Sequence, residues 1–188
     1  MPDDSAREIP HKDEGEDGPV GVADEVVAAA VERFPGVAWV ESYGQIVLYV
    51  PAADWRALAQ WLRDEQQFTQ CVDVTAVDQL LRPRRALPPE VRPERFEVVA
   101  NFLSHPRNRR IRAICPVAEG EEVESLFDVY PGTEMAEREV YDLFGIRFAG
   151  HPDLARLLMP DDWEGYPLRK DDPPARVPVQ FKEAPSPQ

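Results

Sequence analysis

Apolar residues recur at helical spacing near the start of the chain, where Val27, Ala30, Val31 and Phe34 fall at i, i+3, i+4 and i+7 before Pro35-Gly36. That spacing predicts an amphipathic helix. Residues 37–42 and 46–50 are rich in β-branched and aromatic side chains and flank Gly44, the pattern of a hairpin. Pro51 then suits the first turn of a second helix, with a stripe of Trp55, Leu58, Ala59 and Leu62 running to about Glu65. In residues 70–77, Val72, Val74 and Ala76 alternate with Cys71, Asp73 and Thr75, the period of a strand. A loop rich in proline and arginine covers residues 79–94. Beyond it Phe96, Val98, Ala100 and Phe102 alternate, and after a turn at residues 105–108 so do Ile111, Ala113 and Cys115, predicting a long antiparallel hairpin. The order helix, two strands, helix, three strands gives the fold class α+β: a two-layer domain with helices on one face of a mixed sheet.

The second half is less regular. Val123, Leu126, Phe127 and Tyr130 form a helical stripe that Pro131-Gly132 breaks. Thr133 is a candidate N-cap for a further helix with the face Ala136, Val140, Leu143 and Phe144, ended by Gly145. Past His151 no stripe survives, and seven prolines lie between Pro160 and Gln188. Such a segment cannot fold on itself and is expected to stay mobile or to lie extended along another surface. The expected organisation is a disordered acidic tail over residues 1–20, an α+β domain over 21–148 and an extended, partner-wrapping segment over 149–188.

Composition narrows the function classes. The longest aliphatic run, residues 26–31, is six long, against the roughly 20 residues a membrane-spanning helix needs. A soluble or peripheral chain is expected. The first 19 residues carry seven acids against Arg7 and Lys12, unlike a signal or transit peptide. A formal charge of -14 opposes binding to nucleic acid, because each phosphate contact needs a cation. Basic protein partners fit better. Cys71 and Cys115 lack CxxC spacing and are too few for an iron-sulfur cluster, so both are expected to be small buried hydrophobes.

Catalytic patterns are sparse. The ten glycines never form GxG, and no GxxxxGK[ST] is present. The histidines, His11, His105 and His151, are too scattered to suggest a zinc site. His151 with Asp153 could serve as a general base, yet no nucleophile elbow accompanies it, so a hydrogen bond that pins the helix exit is the expected role of His151. Glu137 and Glu139 cannot face one another on a helix, whereas Glu134, Arg138 and Asp142 stand at successive i+4 steps as an acid-base-acid ladder. On the last predicted strand Arg110 and Arg112 share a face with Arg109 at its edge, either a solvated face or a docking stripe for an acidic neighbour.

The run Glu137-Arg138-Glu139-Val140-Tyr141-Asp142-Leu143-Phe144-Gly145-Ile146, then Gly150-His151-Pro152-Asp153-Leu154, then Trp163-Glu164-Gly165-Tyr166-Pro167-Leu168-Arg169-Lys170-Asp171, resembles the signature of the NADH-quinone oxidoreductase subunit lettered C, the 30 kDa subunit family of respiratory complex I. Residues 73–78, 96–99 and 108–112 also fall where that family has its sheet, so the resemblance covers about residues 22–172. It implies a non-catalytic subunit in the hydrophilic arm of a bacterial complex, peripheral to the cell membrane on the cytoplasmic side, with no cofactor of its own. FMN and iron-sulfur clusters would sit in other subunits. The implied partners are the complex I subunits D, B and I, chiefly the first of these, with no nucleic acid and membrane contact only through the complex. The expected interface residues are Glu137, Arg138, Glu139, Tyr141, Asp142 and Phe144 on the helix. Beyond it they are His151, Arg156, Trp163 and Tyr166, with Arg169, Lys170 and Asp171 closing the run. Two departures stand out: Ala155 precedes Arg156 where the family has a basic pair, and residues 176–182 match no general family pattern. The alternatives are the equivalent subunit of a related membrane-bound hydrogenase or quinone-linked dehydrogenase, and a free-standing hydrolase using His151.

Overall fold

The computed structural model describes residues 24–82 and 85–172; the proposed acidic tail of residues 1–20 and the stretch 173–188 lie outside them. Helix α1 spans Glu25–Arg33, and the Asp24 carboxylate accepts the Val26 amide at its N-terminus. Strands β1 (Ala38–Ser42) and β2 (Gln45–Tyr49) pair in antiparallel fashion. Tyr43 and Gly44 both have positive φ, 52° and 73°, as a two-residue hairpin turn requires. A 3-10 turn at Ala52–Asp54 leads into α2, Trp55–Asp64. Three nine-residue strands follow: β3 (Gln70–Asp78), β4 (Phe96–Ser104) and β5 (Arg109–Val117).

The sheet order is β1-β2-β5-β4-β3. Only β2 and β5 run parallel, and every other neighbouring pair is antiparallel, which makes the sheet mixed as the element order predicts. Alternation directs Leu48, Val98, Ala100, Phe102, Ile111, Ala113 and Cys115 to one face. There they share a core with Val26, Val27 and Ala30 of α1 and Trp55, Leu58 and Leu62 of α2. Each such large side chain contributes about 2 kcal/mol by leaving water.

Four expectations change. Val31 is exposed and Val26 takes its place in the core. The β3 register shifts between Cys71 and Asp73, so Cys71 pairs with Phe102 and Val72 is turned to solvent; Cys71 is half-buried and Cys115 buried, both as free thiols. Residues 123–130 are not a helix: Glu122–Glu124 forms β6, which pairs in parallel with β7, Arg147–Ala149, a strand the pattern does not announce. Leu126, Val129 and Tyr130 still reach the core from the turn after β6. Finally, Thr133 precedes helix α3 (Glu134–Phe144) without capping it, because its hydroxyl donates to the Glu137 carboxylate instead.

Helix α3 packs along β3, the edge of the sheet, and ends at Gly145, whose φ is +75°. A Cβ there would lie 2.5 Å from Tyr166 and 2.7 Å from Arg169, so the glycine also admits the C-terminal segment. Gly145→Ala should therefore cost about 2 kcal/mol or more, combining left-handed strain with overlap. That lowers the thermal midpoint by roughly 4–8 °C for a domain of this size. Gly44→Ala, also at positive φ but with open space around it, should cost clearly less; calorimetry of the two variants checks the difference.

Candidate functional site

Helix α3 carries two fully buried carboxylates, Glu137 and Asp142. Five residues apart, they point about 140° away from each other, and they do different work. Glu137 accepts the Ser125 hydroxyl at 2.5 Å, the Leu126 amide at 2.7 Å and the Thr133 hydroxyl at 3.2 Å. Burial pushes its carboxyl up, and these three donors only partly oppose that. It ties the helix to the turn after β6.

Asp142 ties it to the C-terminal segment. Its carboxylate accepts the amides of Leu157, Leu158 and Met159 at 3.0, 2.6 and 2.9 Å and the Arg156 guanidinium at 2.8 Å. Desolvation raises the Asp142 carboxyl, but the Met159 and Leu158 amides, Arg156 and the Leu157 amide outweigh it, so the group sits below the usual carboxylate range. Arg156 continues inward: it donates to the Trp163 and Gly165 carbonyls at 2.9 and 3.1 Å and lies 5.5 Å from the Tyr166 ring. Arg138 donates to the carbonyls of Ala155 and Arg156 at 3.2 and 2.9 Å. The expected i+4 ladder is thus replaced by contacts to residues 151–159. Glu134 joins through its backbone carbonyl, which accepts from His151 Nε2 at 3.0 Å, while His151 Nδ1 accepts the Asp153 amide at 3.1 Å. The imidazole ties the segment back to the first residue of α3 and not to the helix exit, where its sequence context places it, and its Nδ1 meets the Asp153 backbone rather than the carboxylate a general base would use.

A second clasp closes residues 166–172 onto the sheet. Asp78, buried at the end of β3, accepts the Lys170 amide at 2.9 Å and Arg95 at 3.2 Å. Arg95 also reaches Asp171 at 2.5 Å and Glu119 at 2.8 Å. Desolvation raises the Asp78 carboxyl, but the Lys170 amide, Arg95 and the Leu80 amide outweigh it and hold it low. Arg169 donates to the Phe144 carbonyl at 2.6 Å and to Glu119 at 3.1 Å, its guanidinium 4.6 Å from the Tyr166 ring and 5.2 Å from the Phe96 ring.

Most charged signature residues are therefore engaged within the chain: Glu137, Arg138, Asp142, His151, Arg156, Arg169 and Asp171. Phe144 belongs to the core, while Tyr141, Trp163 and Tyr166 are half-buried. The Trp163 Nε1 is buried without a partner among the described residues. Glu139 and the Lys170 side chain are exposed. Sequence reading misses Asp78, Arg95, Glu119 and Ser125, whose partners are between 12 and 92 positions away. Near the second clasp in sequence, Val77, Leu80, Leu81 and Leu168 are exposed apolar side chains. Leu168 and Glu139 line a groove of about 250 Å³ between β3 and α3. Among the described residues, no three His, Cys, Asp or Glu side chains are grouped to hold a metal ion, and no helix is long and apolar enough to cross a membrane.

Because the folded carboxyls of Asp142 and Asp78 titrate below their unfolded value of about 3.9, their stabilisation is complete above that value and is lost as pH falls through the folded ones. Amide exchange should show the Leu157, Leu158 and Met159 amides protected at neutral pH and released in acid before the β4–β5 pair. Asp142→Asn should release the same amides at neutral pH, at a cost of about 2–4 kcal/mol, since it leaves Arg156 and at least one amide unmatched.

Residues 48–177 match the family described as "Respiratory-chain NADH dehydrogenase, 30 Kd subunit". The C-lettered subunit of NADH-quinone oxidoreductase from Sinorhizobium medicae is 45% identical over 133 residues, 70% of this chain and 61% of that one. Its counterpart from Saccharopolyspora erythraea, which bears the same name, is 40% identical over 144 residues, 75% of this chain and 54% of that one. The chain thus spans less than two thirds of the length of these relatives. A chain in the solved structure of the membrane-bound sulfane sulfur reductase, an archaeal respiratory membrane complex, shares the fold with a TM-score of 0.64 at 21% identity, covering 87% of this chain and 97% of that chain. With the matched region taking in β3–β5, α3 and both clasps, the chain belongs to the family of 30 kDa subunits of respiratory-chain NADH dehydrogenase.

Proposed function

We propose that the chain is a non-catalytic interaction subunit in the peripheral arm of a proton-translocating NADH:quinone oxidoreductase, where it holds the quinone-reducing module in register with the electron carriers. The observation that carries this reading is the immobilisation of residues 151–171 by Asp142, Arg156, Asp78 and Arg95, beside an exposed apolar surface of Val77, Leu80, Leu81 and Leu168. A segment without helix or strand that is held by buried charge presents its outer surface already ordered, so little entropy is lost when a partner docks. Glu139 and Lys170 flank that surface and set orientation through charge.

In this reading the chain adjoins subunits D, B and I of the assembly, and the first of these is the chief partner. The FMN and iron-sulfur centres reside in other subunits and the chain carries no cofactor. It meets the membrane only through the complex, on the cytoplasmic side, and binds no nucleic acid. The names of the relatives at 40–45% identity support NADH and quinone as the substrates of the assembly. A second reading, the same role in a related membrane-bound complex, is supported by the fold shared with the sulfane sulfur reductase chain.

Leu81→Asp combined with Leu168→Asp tests the surface. The isolated variant should keep its circular dichroism spectrum and thermal midpoint, because both side chains are exposed. In cells it should fail to co-purify with the other subunits, and membrane NADH:quinone activity should fall about tenfold or more, the effect of losing interface anchors. Normal assembly and activity would overturn the proposal.

A further inference from the structure

The face of the sheet opposite α1 and α2 carries two arginines away from the exposed leucines of the second clasp. Alternation along β5 sends Ile111, Ala113 and Cys115 inward and Arg110, Arg112 and Ile114 outward. Arg109, at the start of the strand, is paired with Asp24, and Arg107 donates to Gln66 at 3.4 Å. Arg110 and Arg112 have no carboxylate partner among the described residues: Arg110 is exposed, and Arg112 meets only the Asn101 amide oxygen at 3.3 Å. The outward acid on the same row, Asp73, stands two strands away, with Asn101 between it and Arg112. Beside Arg112 lies a groove of about 440 Å³ that it lines with Val40, Val47, Tyr49, Ile114 and residues 86–88. Two guanidiniums on one strand face without a carboxylate among the described residues are unusual in a chain whose acids outnumber its bases by 14.

We infer that this arginine face is covered by the chain's own first 23 residues. The complementary charge is there: seven acids against Arg7 and Lys12 in residues 1–19. So is the tether. Residue 23 joins Asp24, and Asp24 is bound to Arg109, the neighbour of Arg110 in sequence. Arg112 is two residues further along β5, about 7 Å at the rise of a strand. Asp13, Glu14, Glu16 and Asp17 lie 7 to 11 residues before Asp24, a reach of up to roughly 25–35 Å when extended. The contour therefore suffices to bring four carboxylates around the end of the sheet and onto Arg110 and Arg112. A segment tethered beside its site is present there at about millimolar effective concentration, an advantage that an acidic segment of another molecule lacks. The docked segment would shield the two cations from other polyanions, leaving the α3–β3 surface as the route for partner binding.

Carbodiimide coupling in the full chain carrying Arg110→Lys and Arg112→Lys tests this, because the exchange keeps the charges and supplies amines that join to a carboxylate in direct contact. Mass spectrometry of the monomer should find residues 1–23 joined to positions 110 or 112. The links should disappear in 1 M salt, where the screening length shrinks to about 3 Å. In the chain with native arginines, replacing the seven acids by Asn and Gln should shift the amide resonances at 110–112 and leave those of α3 in place. Links from these positions only to Asp73 or other acids of the folded domain would overturn the proposal. So would links found only in a covalent dimer, which would make the occupant a second copy, or amide shifts at 110–112 that ignore the seven replacements.

Discussion

A buried carboxylate cannot be left unmatched, and Asp142 is the place where that constraint organises this molecule. Residues 151–172 have no helix or strand to satisfy their backbone, yet three successive amides, those of Leu157, Leu158 and Met159, converge on one carboxylate. Arg156 supplies the countercharge, then turns to the carbonyls of Trp163 and Gly165. Three amides and two carbonyls of the segment are thereby satisfied by two side chains. Without Asp142 the segment would exchange these bonds for water and recover its chain entropy.

Helix α3 is the joint between this segment and the sheet. Its Glu137 side is anchored in the turn after β6 by Ser125, Leu126 and Thr133, and its Asp142 side holds the segment. The two acids respond in opposite senses to their surroundings: burial dominates at Glu137 and raises it, whereas amides and a guanidinium prevail at Asp142 and lower it. Desolvation outweighs three donors at Glu137, whereas at Asp142 the Met159 and Leu158 amides, with Arg156 and the Leu157 amide behind them, outweigh it. At the other end of the segment, Arg95 joins Asp78, Glu119 and Asp171 at one point, so sheet, loop and segment meet through shared charges.

Charge in the family signature is largely engaged within the chain. These side chains are turned inward and fix the course of residues 151–172, while Val77, Leu80, Leu81 and Leu168 remain exposed. Such a division is what the proposed interaction role asks for: buried pairs to hold geometry and exposed apolar groups to supply association energy. Glu139 and Lys170, like Glu164, are charged side chains of the run that stay exposed.

Periodicity alone determined the α+β layering, the two hairpins and the helices α1, α2 and α3, since each alternation or stripe is a local consequence of which side chains leave water. Gly44 and Gly145 were legible for the same reason, as points where the backbone must enter the left-handed region. The long motif identified the family, because its residue types and spacings recur together. Residues 123–130 depart from the helix their spacing predicts because apolar residues at helical spacing can equally enter a core from a short strand and a turn, and the Glu137 bond to Ser125 and Leu126 selects the latter. The strand pair β6–β7 joins segments far apart in sequence, and no local period announces that. Tertiary structure decided above all where the charges close: Asp142 on residues 156–159 and Asp78 on Lys170 and Arg95. An ion pair depends on proximity in space and not on sequence period, so its partner appears only once the chain is folded.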